Sequence, residues 1–165
     1  MTGLYYLNVT IHVLAAMLWV GGMFFLAIVG APALREVEPA ALRAQLFRRI
    51  GERFRPIGWG AIVVLVITGA LNLAFRELLS WEILTASAFW STGYGHALAW
   101  KLAAVAVMIG ASAVHDFIVG PAASRMDSAS DRAARARRRA SILARIGAVG
   151  GLVAVIAAVR LARGA

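Results

Sequence analysis

Five histidine, lysine or acidic side chains fall inside otherwise apolar runs of this sequence: His12, His96, Lys101, His115 and Asp116. Asn8, Thr68 and Asn72 are their milder polar company. An ionisable group in hydrocarbon is costly to keep, so each of the five is a functional candidate. Imidazole nitrogens ligate transition metals and haem iron, and a lysine ammonium pairs with an anionic group or, deprotonated, offers an amine. The chain has no cysteine. That removes disulfides, thiolate metal sites and iron–sulfur clusters from consideration.

Spacing sorts these residues into stripes. Asn8 and His12 are four apart and Trp19 is seven beyond His12, so a helix carries the three on one face. Thr68 and Asn72 are four apart on a second segment. Lys101, Met108 and His115 recur every seven residues on a third. For the histidines the packing alternative stands beside the ligand one: His12 as a hydrogen-bonded core residue, His96 at an interface, His115 and Asp116 as the cap of a helix before Gly120 and Pro121.

The elements that must position them are four apolar stretches, residues 4–29, 57–75, 95–119 and 141–161. Crossing ~30 Å of hydrocarbon takes roughly 20 helical residues, and a backbone in lipid must satisfy its own hydrogen bonds. The sequence therefore predicts an all-α bundle of four transmembrane helices in a single integral membrane domain, residues 1–165. The composition agrees, with 61% hydrophobic residues and a mean hydropathy of +0.78. Residues 4–30 lack a basic start and a cleavage site, so we read them as a retained first span rather than a leader.

The 17 Lys+Arg against 8 Asp+Glu give a formal charge of +9. That excess is topological rather than a nucleic-acid footprint. Residues 31–56 hold Arg35, Arg43, Arg48, Arg49, Arg53 and Arg55; residues 120–140 hold Arg125, Arg132, Arg135, Arg137, Arg138 and Arg139; residues 76–94 hold only Arg76. The positive-inside rule places the first and third loops in the cytoplasm and both chain ends outside. Ala41, Leu42, Leu46, Phe47 and Ile50 fall at helical spacing among the arginines of the first loop. They predict an amphipathic helix on the inner surface, with Pro56 marking the start of span two. Trp81, Trp90 and Tyr94 mark the second loop as an outer interfacial belt or lid. Gly147 and Gly151, four apart beside Gly150 and Ala154, mark span four as a close-packing, structural helix.

Depth then groups the polar residues. At 1.5 Å per residue His12 lies ~12 Å and Lys101 ~9 Å below the outer ends of their helices, while His115 and Asp116 lie roughly 20 Å further in than Lys101. Asn8, His12, Thr68, Asn72, His96 and Lys101 form one layer in the outer leaflet. A histidine in a bundle interior with a nitrogen donor on a facing helix suits haem b ligation. His12 is the first ligand on this reading and His96 or Lys101 the second, with Lys101 otherwise beside a propionate. Copper is the competing chemistry, ligated by His12, His96 or His115 along a sparse path with scattered methionines. The third reading is a structural subunit with no cofactor.

The stretches IHVLAAMLWVGGMFFLAIVGAPAL, RFRPIGWGAIVVLVITGALNL and GHALAWKLAAVAVMIGASAVHDFIVGP resemble bacterial copper-resistance D (CopD) membrane proteins and the related HemJ-type protoporphyrinogen oxidases. The anchoring residues are His12, Trp19, Gly21, Gly22, and Lys101 followed by Leu102; the resemblance covers roughly residues 5–125. The CopD likeness implies copper uptake or tolerance, commonly in a longer chain. The HemJ likeness implies haem b, with His12 and Lys101 as the key pair. The spacing from Lys101 to His115 and the tryptophan-bearing second loop depart from the HemJ pattern.

The sequence reading is thus a CopD-like protein of the bacterial plasma membrane that binds haem b in its outer half and transfers electrons. Asn8, His12, Trp19, Asn72, His96 and Lys101 line the cofactor. The alternatives are a copper permease and a protoporphyrinogen oxidase. The expected partners are the lipid bilayer, quinol or a periplasmic redox protein, and a second copy or a larger membrane complex, with no nucleic acid.

Overall fold

The computed structural model describes residues 2–124 and 131–164. Every regular element in them is helical. Helix α1 covers Gly3–Arg35 and α2 covers Ala40–Phe75. Two short helices follow, α3 (Trp81–Thr85) and α4 (Ser87–Trp90). Then come α5, Gly93–Ala122, and α6, Asp131–Ala162. Helices α1, α2, α5 and α6 each contain a stretch long and apolar enough to cross a membrane, as the four apolar runs predict. Arg125 lies outside the described residues.

Large apolar side chains point outward from all four helices, among them Leu14, Leu18, Phe25, Ile28, Val63, Val66, Val107, Val149 and Ile156. A soluble protein rarely exposes apolar patches on that scale, and such a surface suits a membrane protein. The interior is built from small residues and a few large ones. Trp19, Ala61, Ile62 and Met108 form the central cluster, with Val20, Met23, Trp59 and Leu65 packed on it.

The backbones approach most closely within two pairs, α1 along α2 and α5 along α6. The pairs meet across a seam filled mainly by side chains. Glycines make both pairs tight. A methyl group on Gly58 would lie 3.8 Å from the Trp19 ring, and one on Gly69 would lie 3.5 Å from the His12 ring. Between α5 and α6, a methyl on Gly150 would lie 2.7 Å from Met108 Cγ and 3.3 Å from the Ala104 carbonyl. Small residues at such positions let helices associate where lipid provides no hydrophobic drive, which bears out the packing role read for span four.

One expectation needs correction. The basic amphipathic segment, expected as an inner-surface helix leading into span two, does not stand apart from that span. It is continuous with span two, and Pro56 lies inside the 36-residue α2. At 1.5 Å per residue α2 is ~54 Å long, against ~30 Å of hydrocarbon. Its arginine-bearing first half therefore projects from the apolar part along the same helix. Pro56 removes one intrahelical hydrogen bond; helical neighbours on both sides keep the element continuous.

Three π-helical turns interrupt the spans: Met17–Gly21 and Leu26–Gly30 in α1, and Val114–Val119 in α5. The second precedes Pro32 and the third precedes Pro121. A proline has no N–H for the carbonyl four residues back, and a wider turn absorbs that loss.

The second loop folds into α3 and α4. Ser80 caps α3 by accepting from the Ile83 N–H at 3.2 Å, and Thr92 caps α5 by accepting from the Gly95 N–H at 2.9 Å. The Trp90 indole donates to the Leu84 carbonyl at 2.9 Å. Phe89, Trp90 and Tyr94 pack on Ala97, Leu98 and Leu161, closing one end of the bundle. A methyl on Gly95 would fall on the Phe89 carbonyl, so glycine is what lets α5 begin directly under α4.

Gly150→Ala is expected to lower the stability of the detergent-solubilised protein by about 1–3 kcal/mol through overpacking. Thermal unfolding checks this. The penalty should shrink in a Met108→Ala background, because most of the collision is with that side chain.

Candidate functional site: a polar zipper at the seam

Helices α1 and α2 are joined by a row of polar contacts. The Asn8 amide nitrogen donates to the Thr68 carbonyl at 3.0 Å and to Asn72 Oδ1 at 2.9 Å. His12 Nδ1 meets the Thr68 hydroxyl oxygen at 2.7 Å. At the outer end of the row the Arg76 guanidinium donates to the Tyr5 hydroxyl at 3.2 Å. Residues 5, 8 and 12 on one helix thus face 76, 72 and 68 on the other. Asn8 and Thr68 are buried, at 7% and 6% exposure, and in lipid an unmet polar group there would cost several kcal/mol.

The zipper fixes the chemistry of His12. The Thr68 hydroxyl has one proton, and it goes to the Val64 carbonyl at 2.6 Å. Its oxygen therefore accepts from the imidazole, which places the ring proton on Nδ1 and leaves the Nε2 lone pair open. Metal-ligating histidines are held this way, one nitrogen anchored and the other presented.

Lys101 reaches the same region from α5. It is half-buried, it is near enough to act electrostatically on His12, and it forms no hydrogen bond or ion pair among the described residues. Arg76 lies over the Tyr94 ring, 5.8 Å from its centroid, and Tyr94 is two turns above Lys101 on α5. The bond to Tyr5 raises the Arg76 pKa further above its ordinary value, so Arg76 is a permanent cation. His12 therefore sits near two cations, and among the described residues no carboxylate is at ion-pair distance from either.

Not every predicted site residue joins this group. Asn8, His12, Asn72 and Lys101 do, and Trp19 lies two turns below His12, buried at 4% exposure. His96 does not. It is exposed, and its Nδ1 bonds back to the Thr92 carbonyl of its own helix at 2.9 Å. His115 is far down α5, where its Nδ1 lies 3.0 Å from Asp116 Oδ1.

That inner pair belongs to a second polar cluster. The Trp59 indole of α2 donates to Asp116 Oδ2 at 3.0 Å and its ring packs 5.5 Å from Phe117. Arg55 stacks 5.9 Å from the Phe117 centroid, and its Nε is buried without a hydrogen-bond partner. The cluster ties the two helix pairs together at the π-helical turn of α5. Among the described residues no three His, Cys, Asp or Glu side chains gather as a metal site.

Sequence reasoning missed Tyr5, Arg76, Arg55 and Trp59. Arg76 extends the 68, 72 stripe by one turn and Tyr5 extends the 12, 8 stripe, so extrapolating both faces would have found that pair. Trp59 and Asp116 are joined by tertiary packing alone, which leaves no periodic signal.

Thr68→Val keeps the shape of the side chain but leaves the His12 N–H without its acceptor. The expected loss is about 1–3 kcal/mol of stability, read by thermal unfolding. Nitrogen-15 NMR of labelled histidine should show a fixed Nδ1–H tautomer at His12 in the parent protein and a tautomer mixture in the variant. Thr68→Ser should behave like the parent.

Comparison with known proteins follows the same lines. A family model described as copper resistance protein D matches residues 48–161. The matched region contains Thr68, Asn72, Lys101, Met108, His115 and Asp116 and begins after His12. The chain is also 38% identical over 63 residues to an uncharacterized protein of Aquifex aeolicus (strain VF5). That match covers 38% of this chain and 43% of the relative, so it spans less than half of either. No solved structure matches.

Proposed function

The chain belongs to the copper resistance protein D family, and on that premise we propose that it handles copper ions in the membrane, with the seam between the helix pairs as their path. The single observation that carries the proposal is the series of soft and borderline donors along that seam. His12 presents an open Nε2 near one end. Met108, 1% exposed and the most buried large side chain, lies about two turns further in, with Met23 packed against the same cluster. His115 lies about two turns beyond that. Imidazole and thioether are donors that Cu(I) accepts. Separate single donors, rather than one closed cage, suit an ion that is cargo and must leave again. The ion stays Cu(I) throughout, so the path requires no electron transfer.

We place the arginine-rich ends of the helices in the cytoplasm by the positive-inside rule, in a bacterial plasma membrane. His12 then faces the non-cytoplasmic side. Met108→Leu separates packing from ligation. The swap nearly conserves volume and should cost less than about 1.5 kcal/mol, but it removes the sulfur. In proteoliposomes, Cu(I) uptake is expected to fall at least about tenfold in His12→Ala and clearly in Met108→Leu. Unchanged uptake in both folded variants would refute the proposal.

A second reading is favoured by one observation: the cations Lys101 and Arg76 stand near His12 with no counter-ion among the described residues. Haem b would suit that arrangement, with His12 to ligate it and Lys101 and Arg76 to pair with its carboxylates. Bound there, haem would supply one-electron redox chemistry. Purified protein from haem-supplied cells would then show a Soret band that disappears in His12→Ala. A flat visible spectrum from folded protein removes this reading.

A further inference from the structure

The arginine-rich end of the bundle carries a second, differently built site. A cleft of about 230 Å³ lies between the end of α5 and the start of α6, walled by Arg132, Arg135 and Arg139 and floored by Ile118, Val119 and Ala122. The three arginines sit at positions i, i+3 and i+7 and so share one face of α6. They span ~10 Å along the helix. Among the described residues no carboxylate lies within ion-pair distance of the three arginines, and none lines the cleft. The floor is apolar, and Ile118 on it is exposed at 63%. This is not the arrangement of a solvated basic flank, in which arginines point away from apolar surface.

We propose that this cleft binds the headgroup of an anionic phospholipid. Guanidinium groups recognise a phosphate through paired N–H donors. The apolar floor gives the adjoining acyl chain a place to lie. The position fits as well, because the cleft sits where the hydrocarbon-length part of the bundle gives way to its charged end. Basic pockets between membrane helices at that level are suited to acidic lipid headgroups. The occupant must carry both a negative phosphate and a chain, which distinguishes it from free phosphate and from nucleic acid.

The test uses native mass spectrometry of the full-length protein in mild detergent, titrated with palmitoyl-oleoyl phosphatidylglycerol or with the matching phosphatidylcholine. Phosphatidylglycerol is expected to bind at least about tenfold more tightly. Arg135→Gln and Arg139→Gln should each weaken it by roughly fivefold, as one basic residue near the surface contributes. Arg138→Gln removes the same charge from an exposed position outside the cleft and should leave binding unchanged. Ala122→Phe fills the floor, keeps every arginine, and should also weaken binding. Equal binding of the two lipids, or equal loss in Arg138→Gln and Arg135→Gln, would overturn the proposal. So would full displacement of the lipid by millimolar inorganic phosphate, which would make this a simple phosphate site.

Discussion

The bond between His12 and Thr68 is the constraint on which the rest of the arrangement depends. In hydrocarbon no water can rescue an unmet donor, so the polar side chains of α1 must find partners on α2. The Thr68 hydroxyl passes its proton to its own helix at Val64 and offers its oxygen to the imidazole. The Thr68 carbonyl is meanwhile taken by Asn8. One residue thereby sets the rotation of α1 against α2 and the tautomer of the histidine. It also sets the direction in which the open nitrogen can act.

Everything across the seam is looser by comparison. The α5–α6 pair is held by glycines meeting Met108 and Ala104, and it touches the α1–α2 pair through side chains. The inner cluster of Trp59, His115 and Asp116 closes one end; the docked α3 and α4 close the other. Between them Lys101, close enough to His12 to act on it electrostatically, has no ion-pair partner among the described residues. The cations Lys101 and Arg76 would suit an anionic cofactor and the Met108 thioether a soft metal ion, the two guests proposed above. The match to the copper resistance protein D family makes copper the first of the two to test.

Much of this was legible in the sequence because membrane spans are written in long-range composition. The four apolar runs, the glycine face of span four and the Asn8, His12, Thr68, Asn72 layer all follow from hydropathy and a period of 3.6. Local chemistry misled in two places. Pro56 reads as the entry to span two, yet α2 runs through it as one helix from Ala40 to Phe75. His96 reads as a facing ligand by depth, but one residue of rotation is ~100° on a helix, and the ring turned back onto the Thr92 carbonyl. The Trp59–Asp116 contact was beyond reach, since it depends on how two pairs dock and a π-helical turn shifts the phase of α5 just there.

The most direct test of the central claim is a chelator-competition titration of the purified protein with Cu(I) under reducing conditions. The account predicts specific binding of Cu(I) that weakens by at least about tenfold, or 1.4 kcal/mol, in His12→Ala. It predicts binding close to that of the parent protein in His96→Ala. Cu(I) binding that is absent, or that survives the loss of His12 undiminished, would contradict it.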